Sequence, residues 1–354
     1  MKPGRVVAID WLRGLAVLVM IQCHAMALLR PELRAGQLYG VLTWIDGLVA
    51  PAFILAAGFS LSLVQVRAAA SPGPRAGRVL RTLRRIAEVL LVGALLTALF
   101  FPVRIEPKWL LRIDILQCIG ISLLVALPIL VALAPHPRAL RWVALALAAL
   151  VFGLAPLAEA VRGPLAPFLN NKTGSVFAPL PWGGYVYLGA ALGATTAAGG
   201  ARSLALWLLG LAAVGIALWA LTPQLAAVYP PHEFWVTNPA NHARRITQVA
   251  AVALVLLGAE QLVTGSWRAS APVRFVEAFG MSSLAAYFFH ETLLYVRVLG
   301  FSFHKVWGDK SSWPQYWLLL ALLIAATWAL TVAVDRIYKI VDRRIPAPLG
   351  AAAT

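Results

Sequence analysis

Arg5-Val6-Val7-Ala8-Ile9-Asp10-Trp11-Leu12-Arg13-Gly14-Leu15-Ala16-Val17-Leu18-Val19-Met20-Ile21-Gln22-Cys23-His24 is an apolar run interrupted by only three ionisable side chains after its first residue, Asp10, Arg13 and His24. An α-helix rises about 1.5 Å per residue, so about twenty such residues cross the roughly 30 Å hydrocarbon core of a bilayer. The run contains internal charges and lacks a small-residue cleavage site, so it reads as a retained first membrane helix rather than a signal peptide.

Similar runs recur along the chain, near 45 to 66, 84 to 101, 113 to 133, 138 to 158, 182 to 199, 203 to 222, 244 to 264, 275 to 298 and 314 to 338. The composition agrees, with 61% hydrophobic and 12% charged residues and a mean hydropathy of +0.80. A soluble domain of 354 residues needs more charged surface than this, so the solvent is lipid. The expected fold is all-α, a polytopic integral membrane bundle of about ten transmembrane helices. Residues 1–345 form one domain, followed by a short tail at 346–354.

The net charge of +16 does not point to nucleic acid, because the basic residues lie in short clusters between apolar runs. That placement marks topology and contact with lipid headgroups. Arg67, Arg75, Arg78, Arg81, Arg84 and Arg85 flank the Ser71-Pro72-Gly73-Pro74 break and place that segment in the cytoplasm. Both termini are then cytoplasmic, and the longer loops near 159 to 181 and 223 to 243 lie outside. The two cysteines, Cys23 and Cys118, sit in apolar runs without metal-ligand spacing, so neither a disulfide framework nor a metal is expected.

Ionisable groups inside a span cost a few kcal/mol each, which calls for a partner or a function. At 100° per residue, the eleven steps from Arg13 to His24 return to within about 20° of one face, with a rise of roughly 16 Å. Asp10 is spaced to pair with Arg13. An ion pair at one end of a face and an imidazole at the other suit a ligand with an anionic head and a long arm, such as coenzyme A. The plainer reading is that Asp10 and Arg13 snorkel to the interface.

Other spans bring polar groups to the depth of His24. Asp46 is expected in the first turn of the second span, where it can form a carboxylate–imidazole dyad with His24. Asp114 and Gln117 share a face of the fourth span, His290 and Glu291 end the ninth, and Asn238 and Asn241 stand where the eighth begins. Interhelical hydrogen bonding accounts for Gln117 and the asparagines, but less readily for two histidines and three carboxylates.

At this point the chain resembles a known family. The Arg5 to His24 segment is similar to the first transmembrane segment of the heparan-alpha-glucosaminide N-acetyltransferase catalytic-domain family. It also fits the Arg-x10-His pattern of the wider membrane acyltransferase type 3 superfamily. Pro51 to Ser60, Arg112 to Gly120, Pro179 to Gly189 and Phe279 to His290 look like that family in the same order. The resemblance implies an integral membrane acyltransferase that takes an acyl group, typically acetyl, from cytoplasmic acyl-CoA. It would deliver the group to a sugar or other hydroxyl or amine acceptor at the outer face.

The superfamily pattern implies a donor-site role for Arg13, with Asp10 beside it, a catalytic role for His24, and a second site role for His290. In the lysosomal animal enzymes of the family, the catalytic histidine precedes the second span. Gln37 to Thr43 contains none here, which favours His24 as a direct general base. Asp46 or Asp114 would orient it, while Gln117, Asn238, Asn241 and Glu291 would hold the acceptor. Acetyl-CoA is the expected co-substrate, membrane lipids and a glycan the expected partners, and the bacterial inner membrane the expected location. Oligomeric state stays open, a dimer included. The competing class is a transporter or lipid flippase that uses the same polar layer as its pathway.

Overall fold

A computed structural model describes residues 5–71, 75–101 and 103–344. The Pro72–Pro74 break and the 346–354 tail lie outside the described residues. The long helices are α1 (Val7–Ala25), α2 (Gln37–Asp46), α3 (Val49–Ala69), α4 (Arg75–Phe100), α5 (Ile115–Leu133) and α6 (Pro137–Ala158). They continue with α7 (Gly184–Ala220), α8 (Pro239–Leu262), α9 (Ala271–Met281), α10 (Ser283–Tyr295) and α11 (Trp313–Arg344). Among the described residues there is no strand, only isolated bridges at Leu29–Ser311 and Val298–Phe301. The protein is all-helical.

Among the described residues, seven helical segments are long and apolar enough to cross a membrane: Val7–Leu28, Gln37–Ala69, Ile115–Leu133, Pro137–Ala158, Pro179–Ala220, Pro239–Leu262 and Trp313–Ile337. Large apolar side chains on these helices face outward, Leu124 and Val255 for example. A water-soluble bundle would bury those groups, whereas lipid solvates them. This is an integral membrane protein.

The chain divides into two compact units, Met1–Leu12 with Gly47–Gly265, and Arg13–Asp46 with Ser266–Thr354. The first is built around α7, against which α3, α6 and α8 pack. Glycine permits the closest approach: a Cβ at Gly58 would lie 2.0 Å from the Val186 carbonyl oxygen, and one at Gly189 would lie 1.9 Å from that of Leu55. Small residues let helix backbones meet in this way where lipid supplies no hydrophobic drive for association. In the same unit, Glu260 accepts from the Val7 and Ala8 N–H groups at 3.0 and 2.9 Å, which satisfies orphan donors at the start of α1.

The second unit contains the rest of α1 together with α2, α9, α10 and α11. α10 packs on α11, while Tyr316 donates its hydroxyl to the Gln22 carbonyl at 3.2 Å. A Cβ at Gly14 would stand 2.1 Å from the Val276 carbonyl oxygen, so α9 meets α1 backbone to backbone. The turns after α1 are fixed by Arg34, which donates to the Ala27 and Leu29 carbonyls and pairs with Asp309 at 2.5 Å.

Two details differ from the sequence expectation. Asp46 is the last residue of α2, not part of the first turn of the helix that follows. The apolar run near 275 to 298 is two helices, divided at Ser282, where φ is −112° and ψ 34°.

Candidate active site

The break at Ser282 and the two turns after it bring α10 against α1 within the second unit. Arg13 donates from Nη2 to the Ser283 hydroxyl at 2.7 Å, at the first residue of α10. Seven residues later, His290 and Glu291 meet His24. Nδ1 of His24 lies 3.0 Å from Nε2 of His290 and in direct contact with Oε1 of Glu291. Nε2 of His290 is 3.5 Å from the same carboxylate oxygen. Arg13 and His24, the two ends of one face of α1, are thus both read by a single partner helix.

Hydrogen bonding fixes the tautomers. Nδ1 of His290 faces the Ala286 carbonyl oxygen at 2.9 Å, and a carbonyl can only accept. His290 therefore carries its proton on Nδ1 and its lone pair on Nε2. His24, facing that lone pair and a carboxylate through Nδ1, is the donor there, so in the neutral ring its own lone pair is on Nε2. His290 is fully buried and Glu291 nearly so, whereas His24 is partly exposed. A buried carboxylate that holds one imidazole nitrogen while the other stays basic is the arrangement that orients a general base.

His24 lines a cavity of about 380 Å³, with Cys23, Met26, Ala27, Arg34, Tyr39, Thr43, Asp46 and Tyr295. This volume is in the range of small-molecule sites. Asp46 faces the Cys23 thiol and His24. Among the described residues, neither of its buried carboxylate oxygens accepts a hydrogen bond of normal geometry.

The structure brings Arg13, His24, Asp46, His290 and Glu291 into the second unit, while Asp10, Asp114, Gln117, Asn238 and Asn241 belong to the first. There, Asp10 pairs with Arg5 at 2.5 Å. Asp114 pairs with Arg112 at 3.0 Å and stands at the start of α5. Gln117 donates to Thr97 at 2.9 Å. Asn238 caps α8 by accepting from the Ala240 N–H at 2.8 Å, and Asn241 donates to the Trp235 carbonyl at 2.7 Å. Residues that the sequence reading left out are Cys23, Arg34, Tyr39 and Tyr295 on the cavity wall. Only Cys23, next to His24, carried a local signal.

The fold defines the class: an integral membrane protein built of helices, here with a hydrogen-bonded imidazole on a cavity wall. The family model described as heparan-alpha-glucosaminide N-acetyltransferase, catalytic, matches residues 5–234, well over half of the chain, and the chain belongs to that family. It is accordingly a membrane transferase of the acetyltransferase kind. The matched stretch includes Arg13, His24 and Asp46, while His290 and Glu291 lie beyond it. No curated protein matches the chain significantly.

Proposed function

We propose that the protein transfers an acyl group, in the first instance acetyl, from cytoplasmic acyl-CoA to a sugar or other hydroxyl or amine acceptor at the outer face. His24 is the general base. What supports this reading above all is the contact of His24, which lines the cavity, with the buried Glu291 and His290 behind it. Nε2 of His24 takes the proton of the acceptor as its oxygen or nitrogen attacks the thioester carbonyl. The C–S bond then breaks, and the departing CoA sulfur takes that proton from the imidazolium. Glu291 stabilises the imidazolium while it exists, and His290 fixes the ring. No step calls for a metal.

In this scheme Arg13 meets the phosphates of the donor, and Asp46 joins Arg34, Tyr39 and Thr43 around the acceptor. The protein crosses the bacterial inner membrane about ten times, with both termini cytoplasmic and a single transmembrane domain. The test is to incubate purified protein with labelled acetyl-CoA and a panel of envelope sugars and amines. Transfer that is lost in His24→Ala supports the reading. If CoA does not bind, and His24→Ala and Arg13→Ala behave like wild type, the reading fails.

A further inference from the structure

We propose that His24, His290 and Glu291 also form a binding site for a divalent ion of the zinc class, and that the bound ion switches the enzyme off. The inhibitory half of this inference rests on His24 being the base.

Geometry is the first argument. Nδ1 of His24, Nε2 of His290 and a carboxylate oxygen of Glu291 all lie within 4.8 Å of one another. Two of the separations are 3.0 and 3.5 Å. Zinc bonds of about 2.0–2.1 Å at a tetrahedral angle put neighbouring ligand atoms about 3.3 Å apart, so these two separations bracket the requirement. The third pair, in hydrogen-bond contact, opens when the shared proton is replaced by the ion.

The second argument is preparation of the ligands. His290 holds its Nδ1 proton on the Ala286 carbonyl, which turns the Nε2 lone pair toward the other two ligands. Metal-binding histidines are characteristically oriented by an outer hydrogen bond of this kind. Charge adds a third argument. With neutral imidazoles, the buried Glu291 carboxylate leaves the three-residue cluster negative, and a dication offsets that charge. Two imidazoles and one carboxylate select zinc, cobalt or nickel over magnesium or calcium. The partly exposed His24 lets an ion enter from the cavity.

Inhibition follows from the tautomer. An ion on Nδ1 of His24 occupies the lone pair there, so the ring proton moves to Nε2. Nε2 then has no lone pair with which to accept the proton of the acceptor, and Glu291 is drawn to the metal.

The experiment uses chelator-stripped full-length protein in detergent, with Zn2+ as the probe. Equilibrium dialysis should find one ion per chain, and the thermal midpoint should rise with Zn2+ but not with Mg2+. His290→Ala should weaken binding by more than about 100-fold, the upper end of the loss seen on removing merely an outer-shell partner. If His290→Ala does not give a cooperative melt, the isosteric Glu291→Gln serves in its place. Acetyl transfer should fall with Zn2+ occupancy and return with chelator. No saturable binding, or equal binding in wild type and a folded variant, overturns the site and leaves His24 as base intact. Full occupancy with undiminished transfer overturns the inhibitory half. Zn2+ binding at the three residues with His24→Ala still fully active would instead remove the base reading and keep the metal site.

Discussion

At the scale of single residues, the proposed reaction hangs on which nitrogen of His24 carries the proton. Glu291→Gln changes no volume but can offer its amide N–H to Nδ1, which turns the lone pair of His24 away from Nε2. The expected result is a fall in kcat of at least about 100-fold with the KM for acetyl-CoA little changed, whereas Arg13→Ala should raise that KM. Steady-state kinetics with both substrates varied separates the two, and a Glu291→Gln enzyme with normal kcat would remove the carboxylate from the mechanism. His24 and His290 were readable as site candidates because an ionisable group in an apolar span calls for a reason. That Glu291 is the carboxylate in contact with His24 Nδ1 was not readable. Asp46, Asp114 and Glu291 are equally intramembrane in the sequence, and what distinguishes Glu291 is the approach of α10 to α1, a tertiary fact that no local pattern encodes. Asp10 pairs with Arg5 at 2.5 Å.

At the scale of elements, close backbone contact and an exposed ion pair make different demands. Gly58 on α3 faces the backbone of α7 so closely that any side chain must separate the helices. Gly58→Leu should therefore cost more than the roughly 1–3 kcal/mol of ordinary overpacking, and should appear as a lowered thermal midpoint and aggregation in detergent. An unchanged melt would mean that α3 and α7 can part freely. Between α6 and α8, Lys172 bonds to Glu233 and lies 3.5 Å from Glu159, whose other oxygen accepts from the Glu233 N–H at 2.9 Å. The hydrogen bond from Lys172 holds the Glu233 carboxyl below its ordinary value of 4.5, and the same bond raises Lys172 above 10.5. A depressed carboxylate contributes stability above its unfolded pKa and loses it as pH falls through the folded value. A raised lysine contributes below its unfolded pKa and loses it as pH rises through the folded value. The pair is partly exposed, so the effect is at most about 1 kcal/mol. Lys172→Met should lower the melting midpoint at pH 7 slightly and flatten its dependence on pH below 4.5. Helix existence was legible from apolar runs because lipid demands them. The split of α9 from α10 was not, since a lone Gly280 before Met281-Ser282-Ser283, with no Pro beside it, is too weak a breaker to end an apolar run.

At the scale of the whole molecule, the number of crossings turns on α7. A straight helix of 37 residues would measure about 55 Å, nearly twice the hydrocarbon thickness. Gly200 interrupts it with φ of 66° and ψ of −163°, a conformation that glycine adopts without steric cost. The segments on either side, 184–199 and 201–220, are then about 24 and 30 Å long, each near the length of one crossing. Gly199, Gly200, Ala201 and Arg202 are exposed, as a turn in water would be, and Arg202 favours the cytoplasm. Two crossings return the chain to the side it left, so the segments 159–181 and 223–243 should face the same compartment, opposite the arginine-rich start of α4. Single cysteines placed at 164 and 231, in a background without Cys23 and Cys118, should both react with a membrane-impermeant maleimide on intact spheroplasts. A cysteine at 201 should react only after lysis. Labelling of one loop alone would mean that α7 crosses once, and it would remove the ten-span topology along with the placement of an acceptor-facing outer surface.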